Sequence, residues 1–233
     1  MPEIIVALDY SKFSEIKSIV ENLGNAINFY KVGLEAFISI GKEALEYLKV
    51  KNKKIFLDLK LHDIPNTVKK AALAASYYNV EILSLHIQGG VEMISDTQAH
   101  ISSSLRIDNR PLLIGITALT SLDDKYINDF KINFNCIEDY ALHLANIGKH
   151  AGLNGVVCSV GEVKAVKKLC GNDFKVVCPG IRLDKTNVND QKRVYTPLDA
   201  KQNGADYIVI GRAITENREP LKIVESITEE LKI

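Results

Sequence analysis

The sequence predicts an α/β chain closed into a single-domain (β/α)8 (TIM) barrel. Three observations predict it. Eight short β-branched runs recur along the 233 residues, stretches with 3.6-residue periodicity separate them, and no Pro/Gly/Ser-rich linker or change of composition divides the chain. Short continuous apolar runs mark strands buried on both faces, as in parallel sheets. Eight β-α units of about 29 residues each approach the roughly 250 residues typical of a (β/α)8 barrel. An open doubly wound sheet fits less well. The G-x-G-x-x-G turn expected after its first strand is missing, and the first run ends instead in Leu8-Asp9-Tyr10.

Taken in order, the predicted strands and helices alternate. Ile4–Leu8 is the first strand. Ile27–Val32 is the second, followed by helical periodicity over Leu34–Leu48. Lys54–Leu59 leads to the helix Val68–Tyr78, and Val80–Leu85 to Val91–Leu105. Leu112–Thr117 precedes Ile137–Ala151, and Gly155–Cys158 precedes Gly161–Leu169. The seventh and eighth strands are Lys175–Cys178 and Tyr207–Ile210, with a closing helix at Pro220–Leu231. Between the last two strands lies a polar, irregular stretch, Ile181–Tyr195. A loop of this length in a compact domain is functional or disordered, and its place on the catalytic face of a barrel favours function. The expectation is one domain over residues 1–233 with a phosphate-gripping loop at about 181–195.

Composition narrows the function. Twenty-nine Lys+Arg balance 29 Asp+Glu, which argues against a dedicated binder of nucleic acid or anionic membrane. No apolar run reaches the ~18 residues of a membrane helix. Met1–Phe13 has neither a basic start nor a small-residue cleavage site, so the expected address is the cytoplasm. Cys136, Cys158, Cys170 and Cys178 are isolated, and Cys158 and Cys178 lie inside apolar runs as buried, inert thiols would.

Barrel active sites are assembled at the C-terminal ends of strands. Those ends carry Asp9, Lys31, Asp58, Lys60, Asp63, His86, Thr117, Thr120, Pro179-Gly180 and Gly211-Arg212. Residues two apart share a strand face, so Asp58 and Lys60 are expected to point together into the barrel mouth. An isolated D-x-K reads as a structural ion pair. Four charges of alternating sign at one rim (Lys31, Asp58, Lys60, Asp63) read instead as a functional row, because buried charge networks contribute little to stability. Gly180-Ile181-Arg182, Gln191 and Gly211-Arg212 fall in the last two β-α loops, where barrels frequently bind phosphate and where arginine's forked donors match its oxygens. Singly, Gly211 is a tight turn and Arg212 a surface charge; together they predict an anion site. His86 reads equally well as a ligand contact or a hydrogen-bonded core residue. His62, His100, His143 and His150 show no metal-ligand grouping.

The motif Asp58-x-Lys60-x-x-Asp63-Ile64-Pro65-Asn66-Thr67 resembles that of the orotidine 5'-phosphate decarboxylases. It is accompanied by Ala7-Leu8-Asp9, Tyr30-Lys31-Val32-Gly33, Leu119-Thr120-Ser121, Pro179-Gly180-Ile181-Arg182 and Gly211-Arg212-Ala213-Ile214-Thr215. Asp190-Gln191-x-Arg193 and Thr196-Pro197 are similar to the bacterial-type branch. The likeness runs in order from Asp9 to Thr215. It implies a homodimeric barrel enzyme of pyrimidine synthesis that converts orotidine 5'-phosphate to UMP and CO2 with no metal and no organic cofactor. By the same resemblance Lys60 is the proton donor and Asp58 lies beside the substrate carboxylate. Lys31 and Asp63 complete the charged row, and Asp63 and Thr67 reach into the partner subunit's site. Asp9 and Lys31 hold ribose hydroxyls and Thr120 lies near the base. Gln191, Gly211 and Arg212 bind phosphate, Arg182 stands at the loop, and Ile64 and Pro179 complete the substrate-binding set.

Three other readings stay open on the residues alone. One is a keto-sugar phosphate decarboxylase or aldolase that shares D-x-K-x-x-D but uses a divalent metal. The second is a phosphosugar epimerase, which wants metal-binding histidines at strand ends. The third is a silent barrel that binds nucleotides as a sensor.

Overall fold

The computed structural model describes residues 1–183 and 195–232. Among them, eight parallel strands close into a barrel in sequence order, each hydrogen-bonded to its chain neighbours and the eighth to the first. They are β1 Glu3–Ala7, β2 Phe29–Gly33, β3 Lys54–Leu61, β4 Ile82–His86, β5 Leu112–Ile116, β6 Gly155–Val157, β7 Lys175–Cys178 and β8 Tyr207–Ile210. The helices around them are α1 Phe13–Leu23, α2 Leu34–Ile40, α3 Lys42–Val50, α4 Pro65–Ser76, α5 Val91–Ser104, α6 Asp124–Asp129, α7 Ile137–His150, α8 Val163–Cys170, α9 Pro197–Asn203, α10 Arg212–Thr215 and α11 Pro220–Lys232.

Period-two alternation along the strands produces two separate cores. One parity packs inside the barrel: Ile5, Ala7, Phe29, Phe56, Ile82, Ile114, Val177 and Val209 form a single buried cluster. The other parity, including Val6, Tyr30, Leu57, Leu83, Val156 and Ile208, joins the apolar faces of the helices in a larger belt. The inner parity carries Asp9 after Ala7, Asp58 after Phe56 and Gly211 after Val209 to the cavity at the strands' C-terminal ends.

Helix boundaries follow local chemistry. Ile64 is extended (φ −60°, ψ 151°), as a residue before proline must be, and Pro65 opens α4 at the position where its missing N–H costs nothing. The periodic stretch Leu34–Leu48 is two helices, because Gly41 (φ 71°) turns the chain between α2 and α3. Thr196 and Asp199 form a reciprocal capping box, with bonds of 3.1 and 2.9 Å, that starts α9. Just before it, Ile181 and Tyr195 pair as a parallel bridge and the Arg182 N–H donates to the Tyr195 carbonyl at 2.9 Å. Both ends of the long loop are thereby tied together at its base. Residues 184–194 of that loop, with Asp190, Gln191 and Arg193, lie outside the described residues.

Strand β3 departs from a plain strand. Its pairing with β4 shifts register: Leu57 faces Leu83 and Leu61 faces Leu85. Three residues of β3 thus stand opposite the single residue Ser84. Lys60, within this bulge, takes a left-handed backbone conformation (φ 51°). The expected strand Lys54–Leu59 is longer for this reason.

Candidate active site

A cavity of about 670 Å³ opens at the C-terminal end of the barrel. That volume lies in the range of small-molecule sites. Asp9, Lys31, Asp58 and Lys60 line it from β1, β2 and β3; Thr120 lines it from the loop after β5; and Pro179, Gly180, Arg182, Gly211 and Arg212 line it from the ends of β7 and β8. Its floor is apolar, made by Phe56, Ile116, Val157, Val177 and Val209.

The charged row is continuous. Lys60 Nζ donates to Asp58 Oδ2 at 2.6 Å, Lys31 Nζ lies 3.9 Å from the same oxygen, and Lys31 Nζ donates to Asp9 Oδ1 at 3.0 Å. The Asp58 side chain is 9% exposed and that of Lys31 12%, so these charges sit where their fields are weakly screened. Glycine at position 33 permits the approach of Lys31 to Asp9. A Cβ there would lie 2.8 Å from Lys31 Nζ and 3.2 Å from Asp9 Oδ1.

Beyond Asp9, at the ends of the neighbouring strands β8 and β7, Gly180 adopts φ 79°, a turn that needs glycine and brings backbone to the cavity wall beside Arg182. Arg212 opens the short helix α10 directly after β8. Two further residues build this corner. The Tyr10 hydroxyl donates to the Thr215 carbonyl at 3.2 Å, and burial pushes its pKa up. Glu35 accepts from Ser11 Oγ at 2.6 Å. Both Tyr10 and Glu35 line the cavity and carry no sequence motif.

Asp63, Ile64 and Thr67 do not line this cavity. Asp63 is exposed and its Oδ1 accepts from the Ile64 N–H at 2.7 Å. Of the four charges expected at one rim, three meet within one chain. His86 stacks at a tilt on His62, ring centroids 5.4 Å apart. Its pKa is lowered to about 4, first by burial and then by His62 and Lys60, with Asp58 opposing. The ring is therefore neutral near pH 7. Its Nδ1 is buried without a hydrogen-bond partner among the described residues, and the ring does not line the cavity. No group of three or more His, Cys, Asp or Glu side chains that could hold a metal ion is found among the described residues. Nor is any described helix long and apolar enough to cross a membrane.

Sequence reading missed Ser84. It is fully buried on β4, accepts from the Lys60 N–H at 2.9 Å and donates to Asp58 Oδ1 at 2.8 Å. Its only signal is a lone hydroxyl within Ile82-Leu83-Ser84-Leu85.

Fold and site together define a barrel protein with an acid–base row at one side of a nucleotide-sized cavity and arginines with turn glycines at the other. The model of the Orotidine 5'-phosphate decarboxylase / HUMPS family matches residues 2–227, and the chain belongs to that family. It is 42% identical over 229 residues to the orotidine 5'-phosphate decarboxylase of Gloeothece citriformis, covering 98% of this chain and 97% of that one. It is 40% identical over 230 residues to the enzyme of the same name from Actinobacillus pleuropneumoniae serotype 5b, covering 99% of each. The crystal structure of orotidine 5'-phosphate decarboxylase from Lactobacillus acidophilus superposes with a TM-score of 0.87 at 34% identity, over 100% of both chains.

Proposed function

We propose that this chain decarboxylates orotidine 5'-phosphate to UMP, in the pyrimidine synthesis of the cytoplasm, as a homodimer. The observation that carries the reading is the row Asp9–Lys31–Asp58–Lys60 beside an apolar floor, in a cavity whose other wall holds Arg182, Gly211 and Arg212. Full-length likeness to the named decarboxylases supports it.

The chemistry asks for such a row. Loss of CO2 from C6 leaves an electron pair in an in-plane orbital that the ring π-system cannot delocalise. Preorganised charge must stabilise it. In this reading the Lys60 ammonium faces that developing pair, and its N–H proton passes to C6 as the C6–CO2 bond breaks; UMP and CO2 form and the amine is reprotonated from solvent. Asp58 beside the substrate carboxylate would repel it by about 4 kcal/mol at 4 Å for an effective dielectric near 20, a repulsion relieved as neutral CO2 departs. Lys31 stands between Asp58 and Asp9 and, with Asp9, holds the ribose hydroxyls. Arg212, with Gly211 and Arg182, takes the phosphate, remote from the breaking bond; its binding energy then serves the chemical step as well as affinity. Gln191 belongs to the same phosphate proposal by resemblance.

What one chain leaves outside its own cavity supports the dimer reading. Asp63 and Thr67 lie off their own cavity, and Ile64 beside Asp63 faces solvent, 65% exposed. A second copy covering this face would carry Asp63 and Thr67 to its neighbour's site.

The test is the ultraviolet absorbance change on mixing the protein with orotidine 5'-phosphate in EDTA. Conversion to UMP is expected, and its loss in Lys60→Ala with the fold retained. Turnover of a keto-sugar phosphate that needs added Mg2+, with none of orotidylate, would overturn the reading.

A further inference from the structure

We infer that Ser84 is a positioning residue for the Asp58–Lys60 pair, and that its hydroxyl is what holds the β3 bulge in its working form. The inference rests on the decarboxylase reading above.

Lys60 lies in a strand yet has φ 51°, a left-handed conformation that is unfavourable for a non-glycine residue. The bulge also removes Lys60 from the regular β3–β4 ladder, since pairing resumes only at Leu61 with Leu85. Its N–H finds Ser84 Oγ, at 2.9 Å, in place of a backbone carbonyl. A hydroxyl carries one proton and two lone pairs. Here the proton goes to Asp58 Oδ1 at 2.8 Å, and a lone pair is left for Lys60. Each bond therefore fixes the direction of the other. The same contact engages Oδ1 of Asp58 and turns Oδ2 toward Lys60 Nζ at 2.6 Å and Lys31 Nζ at 3.9 Å. One fully buried oxygen thus sets the backbone of the lysine and the rotation of the carboxylate together. Without it, a backbone donor and a carboxylate oxygen in the low-dielectric wall both lose their partner, and each such loss is costly.

The experiment compares Ser84→Ala, Ser84→Cys and Ser84→Thr with the wild-type chain, reading kcat, KM, UMP affinity and Tm. Displacement of a reacting group by about 1 Å can cost up to ~100-fold in rate. The expected result for Ser84→Ala is a kcat lowered by about 10- to 100-fold, with KM and UMP affinity changed by less than about threefold. Ser84→Thr, which keeps the hydroxyl, should recover most of that loss. Should Ser84→Ala fail to fold, Ser84→Cys, close in size but a poor hydrogen-bonding group, carries the same expectation. A kcat unchanged in the folded variants overturns the inference. So does a lowered Tm with kcat and KM altered alike and no recovery in Ser84→Thr, the pattern of a merely structural residue. Absence of orotidylate turnover by the wild-type chain would instead strike the decarboxylase reading.

Discussion

Four non-glycine residues among those described have positive φ: Asn52, Lys60, Asn79 and Lys131. Two are asparagines just past helices, where a short polar side chain tolerates the left-handed region, and Lys131 closes the turn after α6. Only Lys60 interrupts a strand, and it is the residue on which the proposed chemistry depends. Gly33 is the complementary case, since its backbone is extended (φ −91°, ψ −171°) and any residue would fit the conformation. What a side chain would disturb is the space, because a Cβ would meet Lys31 Nζ and Asp9 Oδ1. The far end of a lysine can move aside at little cost to folding, but it would leave its place in the charged row. Gly33→Ala is therefore expected to keep its Tm within about 2 °C while kcat/KM for orotidylate falls by about tenfold. A thermal melt beside a steady-state assay checks this, and equal activity would mean that Lys31 need not hold its observed position.

Elements differ in how far their residues disclosed them. The barrel was legible because eight apolar runs of parallel-sheet character leave few other topologies, and β7 and β8 fall where expected. Asp58 and Lys60 were expected to meet by strand alternation, and they do meet, but through a bulge. Alternation encodes a pleat and carries no trace of an inserted residue. Ser84 was invisible because one hydroxyl in a buried strand makes no pattern until its partners are known. Helices α6 and α10, of six and four residues, were not singled out, being too short to show a 3.6-residue period. At the far end of the barrel a different network holds elements together. Lys167 of α8 donates to Asp206 Oδ2 at 2.6 Å and to the carbonyls of Asn172 and Phe174, while the Val176 N–H of β7 also binds Asp206. Lys167→Met would leave a largely buried carboxylate with Lys175 and one N–H. The expected loss is about 2 kcal/mol, below the range for a fully buried pair because Asp206 is 21% exposed. For a chain of this size that lowers Tm by about 4–8 °C. The cavity lies at the opposite ends of the strands, so KM should be unchanged; a shifted KM would mean that the two ends of the barrel are coupled.

At the scale of the whole molecule, one chain presents Lys31, Asp58 and Lys60 on its cavity wall beside Asp9, while Asp63, the fourth charge expected with them, lies outside it. Leu34, Ile64 and Val91, at the starts of the helices after β2, β3 and β4, are 48%, 65% and 56% exposed. These strands are consecutive around the barrel, so their helix starts form one neighbourhood. An apolar face of this kind, next to the displaced carboxylate, fits burial against a second copy related by a two-fold axis. In the proposed dimer each site would be a composite of Lys60 from one chain and Asp63 from the other. Two inactive variants then become a test of it. Lys60→Ala and Asp63→Ala should each be nearly silent alone. Mixed in equal amounts and allowed to exchange subunits, half of the dimers are hybrids, and in every hybrid one site combines an intact Lys60 with an intact Asp63. Activity should rise to about a quarter of the wild-type value. If the two residues act within the same chain, no hybrid contains a complete site, and the mixture will stay as inactive as its parts.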